Sequence, residues 1–117
     1  MTKLKPPPAN RLRQYGITPE QWQEMYDAQD GRCGICKRTF TLRRLPCVDH
    51  AHRSGLVRGL LCNYCNQTIG YLHENVEWLW QAYKYLVTGG IARRLRIVAK
   101  HVRAPGASSE HARVCDQ

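Results

Sequence analysis

The sequence lacks any apolar run close to the roughly 20 residues that a membrane-spanning helix needs. Residues 1–10 are rich in Lys and Pro and contain no apolar segment of the kind found in a secretory signal. Acidic side chains are scarce, because nine Asp and Glu stand against 18 Lys and Arg, a formal net charge of +9. These absences argue against a membrane or secreted protein. They predict a cytoplasmic protein of one domain with tails that binds a polyanion, usually nucleic acid.

Cysteine is the most informative residue type that is present. Without a signal peptide the expected compartment is reducing, so paired cysteines are interpreted as metal ligands rather than disulfides. Four thiolates in two C-x-x-C pairs suit one tetrahedral structural Zn²⁺, although two unrelated redox or core pairs are the alternative. Cys47 is predicted to be a small core residue and Cys115 a free thiol in the tail. The predicted zinc ligands, in pairs separated by 25 residues, are Cys33, Cys36, Cys62 and Cys65.

Local patterns predict an α+β protein with short strands. Thr18 as N-cap, Pro19 at the first position and Gln21 at the third form a capping box, so a helix should run from Pro19 to Ala28 or Gln29. The strand that leads into Asp49 and the strand that follows Gly55 should pair as a hairpin. The other predicted elements are strands over 38–40, 44–48 and 56–61 and helices over 65–71, 74–87 and 91–102.

We expect four segments along the chain. Residues 1–16 form a flexible basic arm, which either contacts phosphates or is a solvated tail. Residues 17–73 form the zinc-bound core. Residues 74–103 form C-terminal helices for dimerisation and DNA contact, and residues 104–117 form a disordered tail. The aromatic cluster at 78–80 is assigned to the core or a dimer interface rather than to base stacking.

A possible catalytic group lies between the cysteine pairs. Hydrolysis of a phosphodiester needs a base for water and ligands that hold a divalent cation open to substrate. Asp49 offers a hard anionic oxygen, Asn66 a neutral carbonyl oxygen, and His50 a base that titrates near neutrality. We therefore predict a catalytic Mg²⁺ on Asp49 and Asn66, separate from the zinc. The alternative is an Asp in a turn beside a surface His. His52 either contacts the phosphate or leaving oxygen or supports the residues that do.

Three segments carry a family resemblance: QDGRCGIC at 29–36, VDHAH at 48–52 and VRGLLCNYCN at 57–66. Together they resemble the phage recombination endonuclease VII family, which belongs to the HNH nucleases. The similarity covers about residues 17–72. The resemblance implies a zinc-stabilised ββα-metal (HNH, His-Me finger) core flanked by helices.

The same resemblance implies roles for single residues and for the whole protein. It implies His50 as general base, Asp49 and Asn66 as ligands of Mg²⁺ with Mn²⁺ as a substitute, and His52 as the second family histidine. It also implies cleavage of Holliday junctions and other branched DNA by a helix-swapped homodimer. The sequence departs from the family at Ala51 and near Ile69, where family members carry acids.

The leading hypothesis is a metal-dependent DNA endonuclease acting on branched DNA. The alternatives are an HNH nicking or homing-type enzyme on duplex DNA, and a zinc-ribbon DNA- or protein-binding module without catalysis. A homodimer is expected because the helices beginning at 19, 74 and 91 carry more apolar surface than a small zinc core can cover. The candidate DNA contacts, for which a merely solvated surface is the alternative, are Arg58, Arg93, Arg94, Arg96 and Lys100.

Overall fold

The computed structural model describes residues 3–97 and 99. The protein is a small α+β structure, as predicted, with a two-stranded sheet and several helices. Among the helices in this part of the chain, none combines the length and the apolar character that crossing a bilayer requires. The elements in chain order are α1 (Ala9–Leu12), a 3₁₀ turn (Arg13–Tyr15), α2 (Pro19–Ala28), β1 (Cys47–His50), β2 (Val57–Leu61), α3 (Asn63–Tyr71), α4 (Val76–Thr88) and α5 (Ala92–Leu95).

Helix α2 forms where the capping box predicts it. The Thr18 hydroxyl accepts a hydrogen bond from the Gln21 amide at 3.1 Å, and the Gln21 side chain accepts one from the Thr18 amide at 2.9 Å. These bonds satisfy two of the amides that every helix start leaves unpaired. The helix buries Trp22 and Tyr26, whose rings stack at 5.2 Å. Helix α2 therefore forms one wall of the core.

The predicted hairpin is confirmed, with an irregularity in its register. Strands β1 and β2 are antiparallel, and Asp49 pairs with Gly59. The next pair is His50 with Val57, so Arg58 is an extra residue in β2 and forms a bulge. A bulge of this kind redirects side chains and is frequent beside functional sites.

Two strand predictions are wrong in their bounds. The segment 38–40 forms only the isolated bridge between Arg32 and Thr39, and the strand predicted over 44–48 is shifted to Cys47–His50. The backbones of Thr41 and Arg44 hydrogen-bond to each other in a tight turn. Pro46 has no backbone N–H to donate to a neighbouring strand, so regular strand pairing begins only after it.

The core lies between α2, the hairpin and the first cysteine pair, and it also recruits the N-terminal segment. Leu12 is 1% exposed, and Leu4 and Tyr15 pack against the same cluster. This packing differs from the flexible arm expected for residues 1–16, because Leu12 is buried and Leu4 and Tyr15 are partly buried. The fully or mostly buried core residues are Leu12, Trp22, Tyr26, Cys33, Phe40, Val48, Leu60, Leu61 and Cys62.

The C-terminal helices differ more from expectation. Helix α4 forms as predicted, capped by Asn75 and ended by left-handed Gly89, but none of its residues is buried in the described part of the chain. The prediction of one helix over 91–102 is wrong in its end point. Helix α5 ends at Leu95, and Arg96 is left-handed with φ 52°. Its N-cap has no side-chain hydrogen bond, and so short a helix gains little by itself. Residues 98 and 100–117, with the predicted tail and Lys100, lie outside the described residues.

Candidate functional site

The four cysteines of the two C-x-x-C pairs form one cluster, called here the zinc cluster. Their sulfur atoms all lie within 4.8 Å of one another, and those of Cys36 and Cys62 are 3.8 Å apart. A tetrahedral Zn²⁺ with Zn–S bonds of about 2.3 Å would separate its sulfurs by about 3.8 Å. The donor set therefore fits one structural zinc ion. No other group of three or more metal-ligating His, Cys, Asp or Glu side chains occurs among residues 3–97 and 99.

Local backbone geometry brings the two pairs together. The first pair lies in the turn after α2, where the Cys33 amide donates to the Arg38 carbonyl at 2.9 Å and Lys37 is left-handed with φ 64°. In the second pair, Cys62 is the N-cap of α3 and Cys65 lies within its first turn. The Cys62 amide donates to the sulfur of Cys33 at 3.3 Å, which joins the two pairs directly.

Arg38 is the main charged neighbour of the zinc cluster, a role that no sequence pattern indicates. Its Nε atom donates to the sulfur of Cys36 at 3.3 Å, and its guanidinium lies over the ring of Tyr64. Burial raises the pKa of Cys36, but the hydrogen bonds from Arg38 outweigh that effect and lower the pKa to about 6. Burial raises the pKa of Cys62 and of Cys65, so Arg38 favours the thiolate at Cys36 and not across the whole cluster.

Gln29 joins the zinc cluster to the hairpin, and no sequence pattern indicates these contacts. Its Nε2 atom donates to the carbonyls of Arg32 and Leu60, each at 2.8 Å, and its Oε1 atom accepts from the Leu60 amide at 2.9 Å. The side-chain amide thus pairs with β2 as a neighbouring strand would. A Cβ atom at Gly59 would lie 2.8 Å from Oε1, so a side chain there would displace the Gln29 amide from this position.

The predicted metal ligand Asp49 is engaged by Arg58. The carboxylate is 8% exposed and receives Nε at 2.7 Å and Nη2 at 3.0 Å in a bidentate ion pair. The bulge in β2 places Arg58 next to Asp49 across the hairpin. Asp49 keeps the pKa of Arg58 well above its usual range. The candidate DNA contact Arg58 is therefore bound within the protein.

Glu74 completes a charged network that the sequence did not reveal. Its Oε2 atom lies 3.3 Å from Nη1 of Arg58, and its Oε1 atom lies 3.2 Å from Nδ1 of His52. Both His73 and Glu74 have φ 54°, so two consecutive left-handed residues end α3 and turn the carboxylate toward the hairpin. Glu74 is 22 residues from His52 in the sequence, and no local pattern connects them.

The histidines lie beside this network. The rings of His50 and His52 are 5.1 Å apart, and the ring of Tyr15 is 5.8 Å from that of His50. Asn66 lies in the first turn of α3, which packs against the hairpin, and it is 9% exposed. A cleft of about 280 Å³ beside the hairpin is lined by Asp49, Arg58 and Ile69, among others.

The predicted residues thus separate into groups. The structure brings Asp49 and His52 into one network, with His50 beside them and Asn66 on the adjoining helix. The C-terminal arginines belong to another region: Arg94 and Arg96 are exposed, and Arg93 donates to the Thr88 carbonyl at the end of α4.

The oxygen donors of Asp49 and Asn66 are of the type that Mg²⁺ prefers. The Asp49 carboxylate already binds one positive group, the guanidinium of Arg58. Both oxygens of Asp49 are held by this guanidinium, so a cation could bind there only after Arg58 moved away.

Comparison with known proteins identifies the family. The family model for recombination endonuclease VII matches residues 9–88. The chain is 42% identical over 77 residues to the gene 59 protein of Mycobacterium phage L5, covering 65% of this chain and 47% of that protein. It is 46% identical over 76 residues to the gene 59 protein of Mycobacterium phage D29, covering 64% and 46%. The chain thus spans about half the length of these relatives, and no solved structure matches it. Because the family model covers most of the described chain, from α1 to the end of α4, this chain belongs to the recombination endonuclease VII family.

Proposed function

We propose that this chain is a metal-dependent DNA endonuclease of the ββα-metal (HNH) type, which hydrolyses phosphodiester bonds of branched DNA. The match of the family model over residues 9–88 carries the proposal, because it includes the hairpin, α3 and the zinc cluster. The order of β1, β2 and α3 is consistent with a ββα unit. The net charge of +9 suits a nucleic-acid substrate.

The proposed chemistry divides the work between two metals and one base. Zinc in the four-cysteine cluster is structural. Mg²⁺, or Mn²⁺ in its place, would be held by Asp49 and Asn66 and would stabilise charge on the scissile phosphate and leaving oxygen. His50 accepts a proton from the attacking water as general base. His52 acts beside it, on the phosphate or the leaving oxygen.

The proposed assembly is a homodimer with two active sites. Helix α4 carries a set of exposed apolar side chains that a second copy could cover. Two sites related by a two-fold axis suit paired cuts in opposing strands of a branched substrate. Arg93, Arg94, Arg96 and Lys100 are proposed to contact phosphates. The exposed apolar residues of α4 are Val76, Trp78, Trp80, Tyr83, Tyr85, Leu86 and Val87.

Cleavage of a labelled four-way junction and of its matched linear duplex tests the proposal. The zinc-loaded protein is assayed without magnesium, with magnesium, and after magnesium is withdrawn and restored, because a strong chelator would also strip the zinc cluster. We expect the junction to be cut in a magnesium-dependent way and Asp49→Ala to be inactive. Preferred cleavage of the duplex would indicate a nicking or homing-type enzyme instead.

One observation favours a second candidate, a zinc-stabilised DNA-binding module without catalysis. The bidentate pair of Asp49 with Arg58 has the geometry of a structural ion pair, which needs no metal to satisfy the buried carboxylate. If the protein binds junctions and duplex tightly but cuts neither with any divalent metal, this candidate is the better account.

A further inference from the structure

Glu74 links two parts of the candidate site that no other side chain joins in the described structure. One carboxylate oxygen faces His52, 3.2 Å from Nδ1 and 3.4 Å from the backbone amide. The other faces Arg58, 3.3 Å from Nη1. Since Arg58 holds both oxygens of Asp49, the network runs without a break from Asp49 through Arg58 and Glu74 to His52.

The backbone that presents Glu74 is unusual. His73 and Glu74 are consecutive non-glycine residues in the left-handed region, each with φ 54°. Such a conformation costs roughly 1–2 kcal/mol per residue relative to a right-handed one. The Glu74 amide donates to the Ile69 carbonyl at 2.8 Å, which fixes the turn. Strain of this type is concentrated at functional sites, where the surrounding structure maintains it.

We propose that Glu74 is a positioning residue that fixes the ring of His52 for the reaction, an inference that rests on the proposed function. A neutral imidazole has one N–H, and the carboxylate of Glu74 stabilises the form in which Nδ1 carries it. The Nε2 atom is then the nitrogen with a lone pair available to a substrate or water. A carboxylate holds a histidine in the same way in other hydrolytic sites.

Glu74 also binds Arg58. The guanidinium uses Nε and Nη2 for Asp49 and Nη1 for Glu74, so its three nitrogens are divided between two carboxylates. The side chain of Arg58 is 40% exposed, whereas those of Asp49 and Glu74 are 8% and 19% exposed. Arg58 is therefore the member that can move, and Glu74 remains as its acceptor when it leaves Asp49.

The test combines NMR with kinetics on the zinc-loaded full chain. Glu74→Asn removes the charge and the reach to His52 while keeping a residue type that tolerates positive φ, so folding should survive. Long-range ¹H–¹⁵N spectra, recorded without DNA at a pH where the ring is neutral, report which ring nitrogen carries the proton. The control is Glu77→Gln, which removes the same charge from an exposed residue at the start of α4.

We expect His52 to carry its proton on Nδ1 in the unaltered protein and to shift toward the Nε2–H form in Glu74→Asn. Junction cleavage should fall about 10- to 100-fold in kcat with little change in KM, the range seen when a supporting partner is lost. Glu74→Asp, which keeps the charge, should recover part of the loss. Glu77→Gln should change neither readout.

Two results would overturn the proposal: an unaltered ring tautomer in Glu74→Asn, or an altered tautomer with unchanged kcat. The spectra need no cleavage, so they still decide whether Glu74 orients His52 if the unaltered protein cuts no DNA. In that case the proposed nuclease function fails by itself.

Discussion

Asp49 shows how one residue can be both buried and charged. An isolated carboxylate in this position would be costly, and the bidentate guanidinium of Arg58 offsets that cost. The same ion pair blocks metal binding by Asp49 while it persists, because both carboxylate oxygens are occupied. The proposed metal site and the observed ion pair therefore compete for one carboxylate.

The first prediction tests His50 as general base. A positioned base typically contributes 10²–10⁴-fold to the rate, so His50→Ala should lose at least about a hundredfold in junction cleavage. The zinc content, the circular dichroism spectrum and the affinity for junction DNA should not change, since the ring is not part of the core cluster. Cleavage at the unaltered rate would show that another group activates the water.

At the scale of elements, the contact between α2 and β2 depends on the amide of Gln29 and the missing side chain of Gly59. Gly59→Ala would bring a Cβ atom to 2.8 Å from Gln29 Oε1. Overpacking of this kind costs typically about 1–3 kcal/mol, so we expect the free energy of unfolding to fall by that amount. Urea unfolding of the zinc-loaded protein measures it.

A double-mutant cycle separates the clash from other effects of the methyl group. In a Gln29→Ala background the acceptor oxygen is gone, so adding Gly59→Ala should cost clearly less than it does alone. Equal costs in both backgrounds would mean that Gly59 is required for a reason other than Gln29.

Zinc should hold the cysteine turn, the end of β2 and the start of α3 together. Metal binding free energy becomes folding free energy when the site does not exist in the unfolded chain. Purified protein should contain about one zinc per chain, and Cys36→Ser or Cys65→Ser should fold poorly. Because protons compete with zinc for thiolates, zinc release should increase as the pH falls. A well-folded, zinc-free protein would contradict this prediction.

Sequence patterns predicted the elements whose causes are local. The capping box at Thr18 and Gln21 defines the start of α2, and the two C-x-x-C pairs indicate the zinc cluster. The contacts of Gln29 and Glu74 could not be predicted, because each joins distant parts of the chain. Gln29 binds Leu60, 31 positions away, and Glu74 binds His52, 22 positions away. The position of Arg58 in the hairpin suggests a contact with DNA. A β-bulge has no recognisable sequence pattern here, so the ion pair of Arg58 with Asp49 could not be predicted.

At the scale of the whole molecule, α4 is the feature that a single chain does not account for. Its exposed apolar residues include Trp80 and Leu86, which are 52% and 78% exposed. We predict a homodimer that buries part of this apolar surface. Sedimentation of the unaltered protein at micromolar concentration should give a dimer, and Leu86→Glu should shift it to a monomer. Gln81→Glu adds the same charge to α4 and serves as the control; a fully active monomeric native protein would exclude the dimer.

The four-segment division remains a prediction at this scale. Leu12 packs into the core although it lies within the segment expected to be a flexible arm, and the Leu4 amide donates to the Tyr26 hydroxyl at 3.3 Å. The family model likewise begins at residue 9 and ends at residue 88, across the two boundaries expected for the zinc-bound core.

The two left-handed residues after α3 have a consequence for how this protein could evolve. Glycine at position 73 or 74 would relieve backbone strain, so a selection for thermal stability alone should enrich both His73→Gly and Glu74→Gly. A selection for DNA cleavage should accept His73→Gly and reject Glu74→Gly, because Glu74, and not His73, contacts His52 and Arg58. Deep sequencing of one variant library under the two selections would reveal position 74 as a site where robustness and activity are in conflict.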